Sequence, residues 1–152
     1  MELKIPPPIV AMVCAMLMWL LAQMFPMLEL NLPRNMRLNV ALLVLAVGLV
    51  IGMVAVLGFR RQKTTVNPMD PQATRSLVIS GVYRVSRNPM YLGLLLMLTA
   101  LGIAFANLVS LLVLVVFVAF IQIFQIKPEE RVLAERFGQD FDEYCKRVRR
   151  WI

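Results

Sequence analysis

The chain has 152 residues, of which 60% are hydrophobic and 16% are charged. Soluble domains are about 45–50% apolar and about 25% charged, so a chain of this length cannot bury so many apolar side chains in a water-facing globule. The composition excludes most soluble enzyme folds and any disordered chain. It indicates a protein whose solvent is the lipid bilayer.

The net charge of +7 comes from 16 Lys and Arg against 9 Asp and Glu. In a hydrophobic chain, basic residues usually mark cytoplasmic loops beside anionic lipid, so we expect membrane lipids and no nucleic acid as partners. Histidine is absent, which excludes imidazole catalysis and most zinc or haem sites. We predict no metal site, and Cys14 and Cys145 predict neither a disulfide nor a redox centre.

Charge-free segments predict four transmembrane helices, because about 20 residues cross a hydrocarbon core of about 30 Å. The predicted spans are residues 9–25, 38–59, 89–106 and 108–126. The first could be a signal peptide, but Met24, Phe25 and Pro26 do not form a small-residue cleavage site, so we expect a retained helix. The predicted fold is a single all-α integral membrane domain over residues 1–152.

The second span carries small residues at Gly48, Gly52, Ala55 and Gly58. Such a surface lets two helices approach closely, either within the chain or in a homodimer. The last two spans are predicted to form a hairpin that turns near Asn107, because one continuous helix over both would be about 57 Å long.

The basic residues predict the orientation of the spans. If the N-terminus is cytoplasmic, fourteen Lys and Arg lie inside and only Arg34 and Arg37 lie outside. A loop at residues 60–88 and a tail at residues 127–152 then face the cytoplasm. We expect a multi-pass protein with both termini cytoplasmic, in the inner membrane if the source is bacterial.

The tail has an apolar face with spacings of three and four residues, which is typical of amphipathic helices. This face comprises Leu133, Phe137, Phe141, Tyr144, Val148 and Trp151. Gly138 predicts a break, so we expect two short helices rather than one. On periodicity alone, helices that merely lie on the membrane surface explain the pattern as well.

The densest group of special residues lies where the loop re-enters the membrane, at residues 81–93. Asn88 followed by Pro89 predicts a helix start with Asn88 as its cap. The amides of that first turn, with Arg84 and Arg87 nearby, could bind a carboxylate or phosphate. The alternative is that these Arg and Tyr residues are ordinary interfacial anchors.

A second group, at residues 127–130, follows the last span and contains Pro128, Glu129 and Glu130. Acidic residues in a first helical turn favour the helix dipole, which explains both glutamates without any function. The hairpin arms are nearly equal in length, however, so Asn88 and Lys127 return to the same membrane face. We therefore expect a pocket at headgroup level between cationic and acidic groups.

These residues resemble the integral-membrane methyltransferases, which include the isoprenylcysteine carboxyl methyltransferases and the phospholipid N-methyltransferases. The resemblance rests on Gly-x-Tyr-Arg-x-x-Arg-Asn-Pro-x-Tyr-x-Gly at residues 81–93 and on a second motif at residues 129–144 that begins Glu-Glu and contains Phe-Gly. It covers about half of the chain, from Ser80 onward. Two features depart from the family pattern, because Asn88 replaces a frequent His and Phe141 replaces a Tyr.

The resemblance implies an enzyme that uses S-adenosylmethionine at the cytoplasmic face and methylates a lipophilic small molecule or lipid. Carried over position by position, the residues implied to line the cofactor site are Tyr83, Arg87, Asn88, Pro89, Tyr91, Gly93, Glu129, Glu130, Phe137 and Tyr144. The implied catalytic residues are Arg84, Arg87 and Glu130, and the two arginines would orient an anionic or zwitterionic acceptor.

Two other functions remain open from the sequence. Membrane sterol reductases resemble this C-terminal half but use NADPH, and the Glu129–Glu130 pair disfavours the 2′-phosphate of that cofactor. A non-catalytic lipid-binding protein would require only the charge bias and the amphipathic tail. Methyl transfer needs little acid–base catalysis, because positioning and exclusion of water supply much of the rate, so the absence of histidine is compatible with it.

Overall fold

The computed structural model describes residues 3–61 and 77–152, and within these ranges the chain is helical with no β-strand. The six α-helices are α1 (Pro7–Met24), α2 (Arg34–Arg61), α3 (Pro89–Phe105), α4 (Leu108–Ile121), α5 (Lys127–Phe137) and α6 (Gln139–Arg147). Short 3-10 turns occur at Pro26–Leu28 and Gly81–Arg84, and a π-helical turn covers Gln122–Ile126. Residues 62–76 of the predicted basic loop lie outside the described residues.

In the part of the chain that the structure describes, three helical segments are long and apolar enough to cross a membrane, namely Pro7–Met24, Arg34–Gly58 and Leu108–Phe137. Helix α3 is apolar but has 17 residues, so the count of four spans stays a prediction. Large apolar side chains cover the outer faces of the bundle, and those of Met12, Leu43 and Val115 are each more than 60% exposed. Such surfaces are stable when lipid rather than water covers them.

The core lies where α1 packs against both arms of the α3–α4 hairpin. Met18 of α1 and Phe117 and Ile121 of α4 are completely buried there, beside Leu98 of α3. Helix α2 stands on the other side of α3 and packs closely along it. The hairpin is therefore the central element of the fold.

Glycines bring α2 and α3 into backbone contact. A Cβ atom added to Gly93 would lie 2.9 Å from the Gly48 carbonyl oxygen and 3.1 Å from Gly52 Cα. Real Cβ atoms do not approach so closely, so only glycine fits at position 93 without moving a helix. The small-residue surface of the second span thus packs within the chain, and a homodimer stays a prediction.

The hairpin turns at Ala106 and Asn107, as the sequence predicts. Ala106 adopts the left-handed conformation at φ 49°, and the Asn107 side chain caps α4 by accepting hydrogen bonds from the Val109 and Ser110 amides. Asn107 Nδ2 also donates to the Phe25 carbonyl at 2.8 Å. One buried side chain therefore holds the turn, the start of α4 and the end of α1 together.

We expect Asn107→Ala to lower the free energy of unfolding by about 1–2 kcal/mol, because the helix cap and a buried hydrogen bond are both lost. Thermal unfolding in detergent measures this. Asn39→Ala is the matched control, since Asn39 is exposed on α2. Equal melting temperatures of the two variants would contradict the assigned role of Asn107.

Pro128 lies in the first turn of α5, as the sequence predicts, but α5 does not start anew, because the helix continues from α4 without a break. Proline has no N–H, so the Phe124 carbonyl four residues earlier lacks its usual partner. The Leu3 amide donates to that carbonyl at 3.0 Å. The Lys127 amide donates to the Gln122 carbonyl five residues earlier, as in a π-helix. These two contacts let the helix accept the proline.

The tail forms two helices separated at Gly138, as the sequence predicts. Gly138 has φ 49° and ψ −121°, which residues with a Cβ rarely adopt. The apolar face of α6 and the residues after it, represented by Phe141, Tyr144 and Val148, is buried against α5 and Leu77. This packing brings the tail under the loop that precedes α3.

Candidate active site

Two tyrosines attach the loop before α3 to its neighbours, one in the tail and one in the loop itself. The Tyr144 hydroxyl donates to the Tyr83 carbonyl at 2.7 Å, and the Tyr83 hydroxyl lies 3.5 Å from the Ala55 carbonyl of α2. Burial raises the pKa of both phenols well above the usual tyrosine value. Both side chains therefore stay protonated and act as hydrogen-bond donors.

The two sequence motifs meet at Glu130. Its Oε1 accepts from Arg87 Nη2 at 2.8 Å and from Arg150 Nε at 3.1 Å, and its Oε2 accepts from Arg150 Nη2 at 2.6 Å. The Glu130 and Arg87 side chains are only 18% and 12% exposed. One carboxylate thus joins the loop before α3, helix α5 and the tail in a charge-assisted network.

Main-chain contacts fasten the tail to the same loop. The Arg87 amide donates to the Arg149 carbonyl at 3.0 Å, and Asn88 Nδ2 donates to the Arg150 carbonyl at 2.9 Å. Asn88 occupies the cap position of α3 as predicted, but its side chain does not cap the helix. The carboxamide faces the tail instead, because the tail carbonyl needs a donor.

Tyr91 and Glu129 form a second bridge between the hairpin arms. The Tyr91 hydroxyl donates to Glu129 Oε1, which links the first turn of α3 to the first turn of α5. Tyr91 is buried, and Glu129 is partly buried beside Glu130. Two adjacent carboxylates of α5 are therefore held by different partners, one phenol and two guanidinium groups.

The structure brings most of the sequence-predicted residues to this region, but not all of them. The central network consists of Arg87, Asn88, Tyr91, Glu129 and Glu130, and Tyr83 and Tyr144 hold the loop that carries Arg87.

Four other predicted residues lie apart from the network. Arg84 is exposed, and Pro89 is buried at the start of α3. Gly93 packs against α2, and Phe137 packs in the cluster formed by the tail helices.

Sequence reasoning missed Arg150 and Ser86. Arg150 appeared as one of many basic residues near the C-terminus, and Ser86 Oγ, which accepts from the Asn88 amide at 3.1 Å, had no assigned role. A signal for Arg150 was present, because two adjacent glutamates near a membrane require cationic partners. Nothing in the spacing showed which of the tail arginines would supply one.

One polar atom at the centre of the network is unsatisfied. Among the described residues, Arg87 Nε is buried and has no hydrogen-bond partner. A buried donor without an acceptor costs about 1–3 kcal/mol, and an anionic group placed beside it would remove that cost. The site therefore combines a donor suited to a carboxylate with a glutamate, Glu129, suited to an amino or hydroxyl group. The described residues contain no group of His, Cys, Asp or Glu that could hold a metal ion.

Comparison with known proteins finds chains of similar sequence. An uncharacterized protein of Haemophilus influenzae is 40% identical over 63 residues, which are 41% of this chain and all of that protein. Probable protein-S-isoprenylcysteine O-methyltransferases of Oryza sativa, subspecies indica and japonica, are 29% identical over 109 residues, or 72% of this chain. The match spans 57% of the length of those rice proteins. No solved structure matches the chain.

The phospholipid methyltransferase family model matches residues 36–140. This range begins in α2 and ends in α6, so it contains the hairpin, the first motif, the second motif as far as Asp140, and the Arg87–Glu130 ion pair. The resemblance inferred from the two motifs is confirmed. Because the match extends over more than half of the chain, the protein belongs to the phospholipid methyltransferase family.

Proposed function

We propose that this protein transfers a methyl group from S-adenosylmethionine to a lipophilic acceptor at the membrane face that carries the Glu130 network. The observation that supports this most directly is the buried, unpartnered Nε of Arg87 beside the Tyr91–Glu129 pair. Family membership supports methyl transfer as the reaction class.

The residues of the network fit the polar groups of this cofactor. Arg87 would bind its carboxylate through the Nε edge, since Nη2 is already engaged by Glu130. Glu129, oriented by Tyr91, would accept from the amino group or the ribose hydroxyls. Both Glu130 oxygens are taken by arginines, so Glu130 acts as a positioning residue that holds Arg87. Phe137 and Tyr144, which the family resemblance implied for the adenine, pack in the tail cluster, where Tyr144 instead holds the loop through the Tyr83 carbonyl.

Bound S-adenosylmethionine supplies a methyl group on a sulfonium, and its transfer to an oxygen or nitrogen nucleophile is an in-line displacement. The protein must align the acceptor and exclude water, which the bundle does by carrying the site at the end of an apolar hairpin. A carboxylate acceptor is already ionised at neutral pH and needs no base. An amine acceptor must lose a proton, and Glu129 is the available carboxylate, because both oxygens of Glu130 are held by arginines.

The acceptor is proposed to be a lipid or lipid-like molecule that arrives through the bilayer. The family name indicates a phospholipid amine, and the names of the rice relatives indicate an isoprenylcysteine carboxylate. Arg84 is exposed at the edge of the loop and could orient either headgroup. The concentration of basic residues around this face supports a cytoplasmic location.

We expect S-adenosylhomocysteine to raise the melting temperature of the detergent-solubilised protein and NADPH to leave it unchanged. Binding to the folded state stabilises by about 2.7 kcal/mol at one hundred times the dissociation constant, which a thermal-shift assay detects. Protection by NADPH but not by S-adenosylhomocysteine would overturn the proposal in favour of a reductase. Protection by neither would favour a protein without this cofactor.

The acceptor class is tested by incubating the protein with membrane extract and S-adenosylmethionine labelled in its methyl group. Label in a phospholipid fraction identifies an amine or phosphate-lipid acceptor, and base-labile label in a prenylated peptide identifies a carboxylate acceptor. Heat-treated protein is the control for chemical methylation. Absence of enzyme-dependent label from both fractions would contradict a lipophilic acceptor.

A further inference from the structure

A polar cavity lies at the other end of the bundle from the Glu130 network. It has a volume of about 190 Å³, far above the roughly 10–15 Å³ that a single water needs. Its polar lining is Gln23, Glu29, Arg37 and Asn107, and its apolar lining includes Ala104 and Phe105. The 17 residues of α3 place it about 26 Å from the network, so it cannot belong to the same site.

The cavity is formed where the connection between α1 and α2 closes over the hairpin turn. The Leu30 amide donates to the Ala106 carbonyl at 2.6 Å, and Glu29 pairs with Asn107 in an isolated antiparallel bridge. Asn107 itself is occupied by its capping and Phe25 contacts. The polar side chains that remain for a ligand are therefore those of Gln23, Glu29 and Arg37, of which the last two are charged.

The two charges of the cavity are paired but incompletely satisfied. Arg37 Nη1 donates to Glu29 Oε1 at 2.5 Å, while Arg37 Nε is buried and has no hydrogen-bond partner among the described residues. The Glu29 side chain is 49% exposed and the Arg37 side chain 19% exposed. An oxyanion at the Nε edge of Arg37 would satisfy the buried donor without displacing Glu29.

The opposite charges of Arg37 and Glu29 determine which class of ligand the cavity can bind. A simple anion would satisfy Arg37 but would be repelled by Glu29, and a simple cation would be repelled by Arg37. A group that carries a negative and a positive charge a few bonds apart matches both. Arg37 is also the last charged residue before the charge-free part of α2, which places the cavity at the boundary between apolar helices and lipid headgroups.

We propose that this cavity binds a zwitterionic phosphate–ammonium group, with the phosphate at the Nε edge of Arg37 and the ammonium at Glu29. The same chemistry occurs in the headgroup of a zwitterionic phospholipid and in a free phosphoamine. The cavity is a binding site on the face opposite the candidate active site, and it is independent of the proposed methyl transfer.

The test is native mass spectrometry of the full chain in detergent with equal amounts of phosphatidylethanolamine and phosphatidylglycerol of identical acyl chains. We expect the wild type to retain the zwitterionic lipid about two- to fivefold over the anionic lipid, as one partly exposed ion pair allows. Glu29→Gln leaves an unbalanced Arg37, so we expect the preference to reverse. Arg37→Gln should abolish the preference.

The matched control is Arg34→Gln, because Arg34 is an exposed arginine at the same end of α2 and does not line the cavity. It should keep the wild-type ratio. The ratio compares two lipids on the same protein, so partial destabilisation of a variant cannot produce a reversal. O-phosphoethanolamine that displaces the lipid at millimolar concentration would identify a soluble ligand as a second source of the group, whereas its failure would assign the site to lipid.

Two outcomes overturn the proposal. One is equal retention of the two lipids by the wild type. The other is a Glu29→Gln variant that keeps the wild-type ratio, which would show that Glu29 takes no part in selecting the headgroup. Any methyl acceptor bound near Glu130 contributes equally to the wild type and to Glu29→Gln, so the difference between them reports on this cavity alone.

Discussion

Replacing Glu130 by Gln is expected to weaken S-adenosylhomocysteine binding about 10- to 100-fold and to reduce methyl transfer at least as much. The substitution removes the charge that aligns Arg87, and a hydrogen bond to a charged group is worth about 1.5–3 kcal/mol. Isothermal titration with the solubilised protein measures the affinity, and transfer of labelled methyl groups measures the activity. Glu130→Asp keeps the charge and should recover part of both.

Glu143→Gln is the matched control for this experiment. Glu143 also pairs with an arginine, Arg147 at 3.0 Å, but that pair is exposed on α6 and lies outside the network. Its affinity and activity should equal those of the wild type. A folded Glu130→Gln variant with wild-type affinity would refute the assignment of Glu130 as the residue that positions Arg87.

Gly93→Ala is expected to lower the free energy of unfolding by about 1–3 kcal/mol and to reduce activity at least tenfold. The new methyl group would lie 2.9 Å from a backbone oxygen of α2, so the two helices must separate or shift. Tyr91 is two residues away, and a displacement of about 1 Å at a reacting centre costs up to about 100-fold in rate. Thermal unfolding and label transfer measure the two effects.

Gly52→Ala separates this packing effect from the general effect of removing a helical glycine. A Cβ atom at Gly52 would meet nothing within 4 Å, and alanine favours helix by about 1 kcal/mol over glycine. This variant should be as stable as the wild type or more stable. If Gly93→Ala and Gly52→Ala have the same melting temperature, the close approach of α2 and α3 does not explain why position 93 requires glycine.

The sequence predicted the hairpin and the meeting of its two motifs because both follow from simple lengths. Charge-free segments predict the spans, and two hairpin arms of nearly equal length return to the same membrane face. The approach of Arg87 to Glu130 could therefore be predicted without knowing how the helices pack. The break at Gly138 was also predictable, because glycine readily adopts a backbone conformation that other residues avoid.

The details that sequence reasoning missed all depend on which tail atoms come close to the loop. The Asn88 side chain bonds to the Arg150 carbonyl instead of capping α3, and Arg150 reaches Glu130 from twenty residues away in the chain. The continuous helix through Pro128 depends on the Leu3 amide, which lies more than 120 residues earlier. Local preference cannot predict such long-range partners.

The attachment of residues 149 and 150 to the loop before α3 has a consequence for the order of events during synthesis. Arg87 and Asn88 receive their main-chain partners from residues made about sixty positions later. All three long apolar segments have begun to form before these partners exist, since chains emerge from the N-terminus onward. Insertion into the bilayer therefore precedes assembly of the Glu130 network, and a nascent chain in the membrane has an incomplete network until its tail folds back.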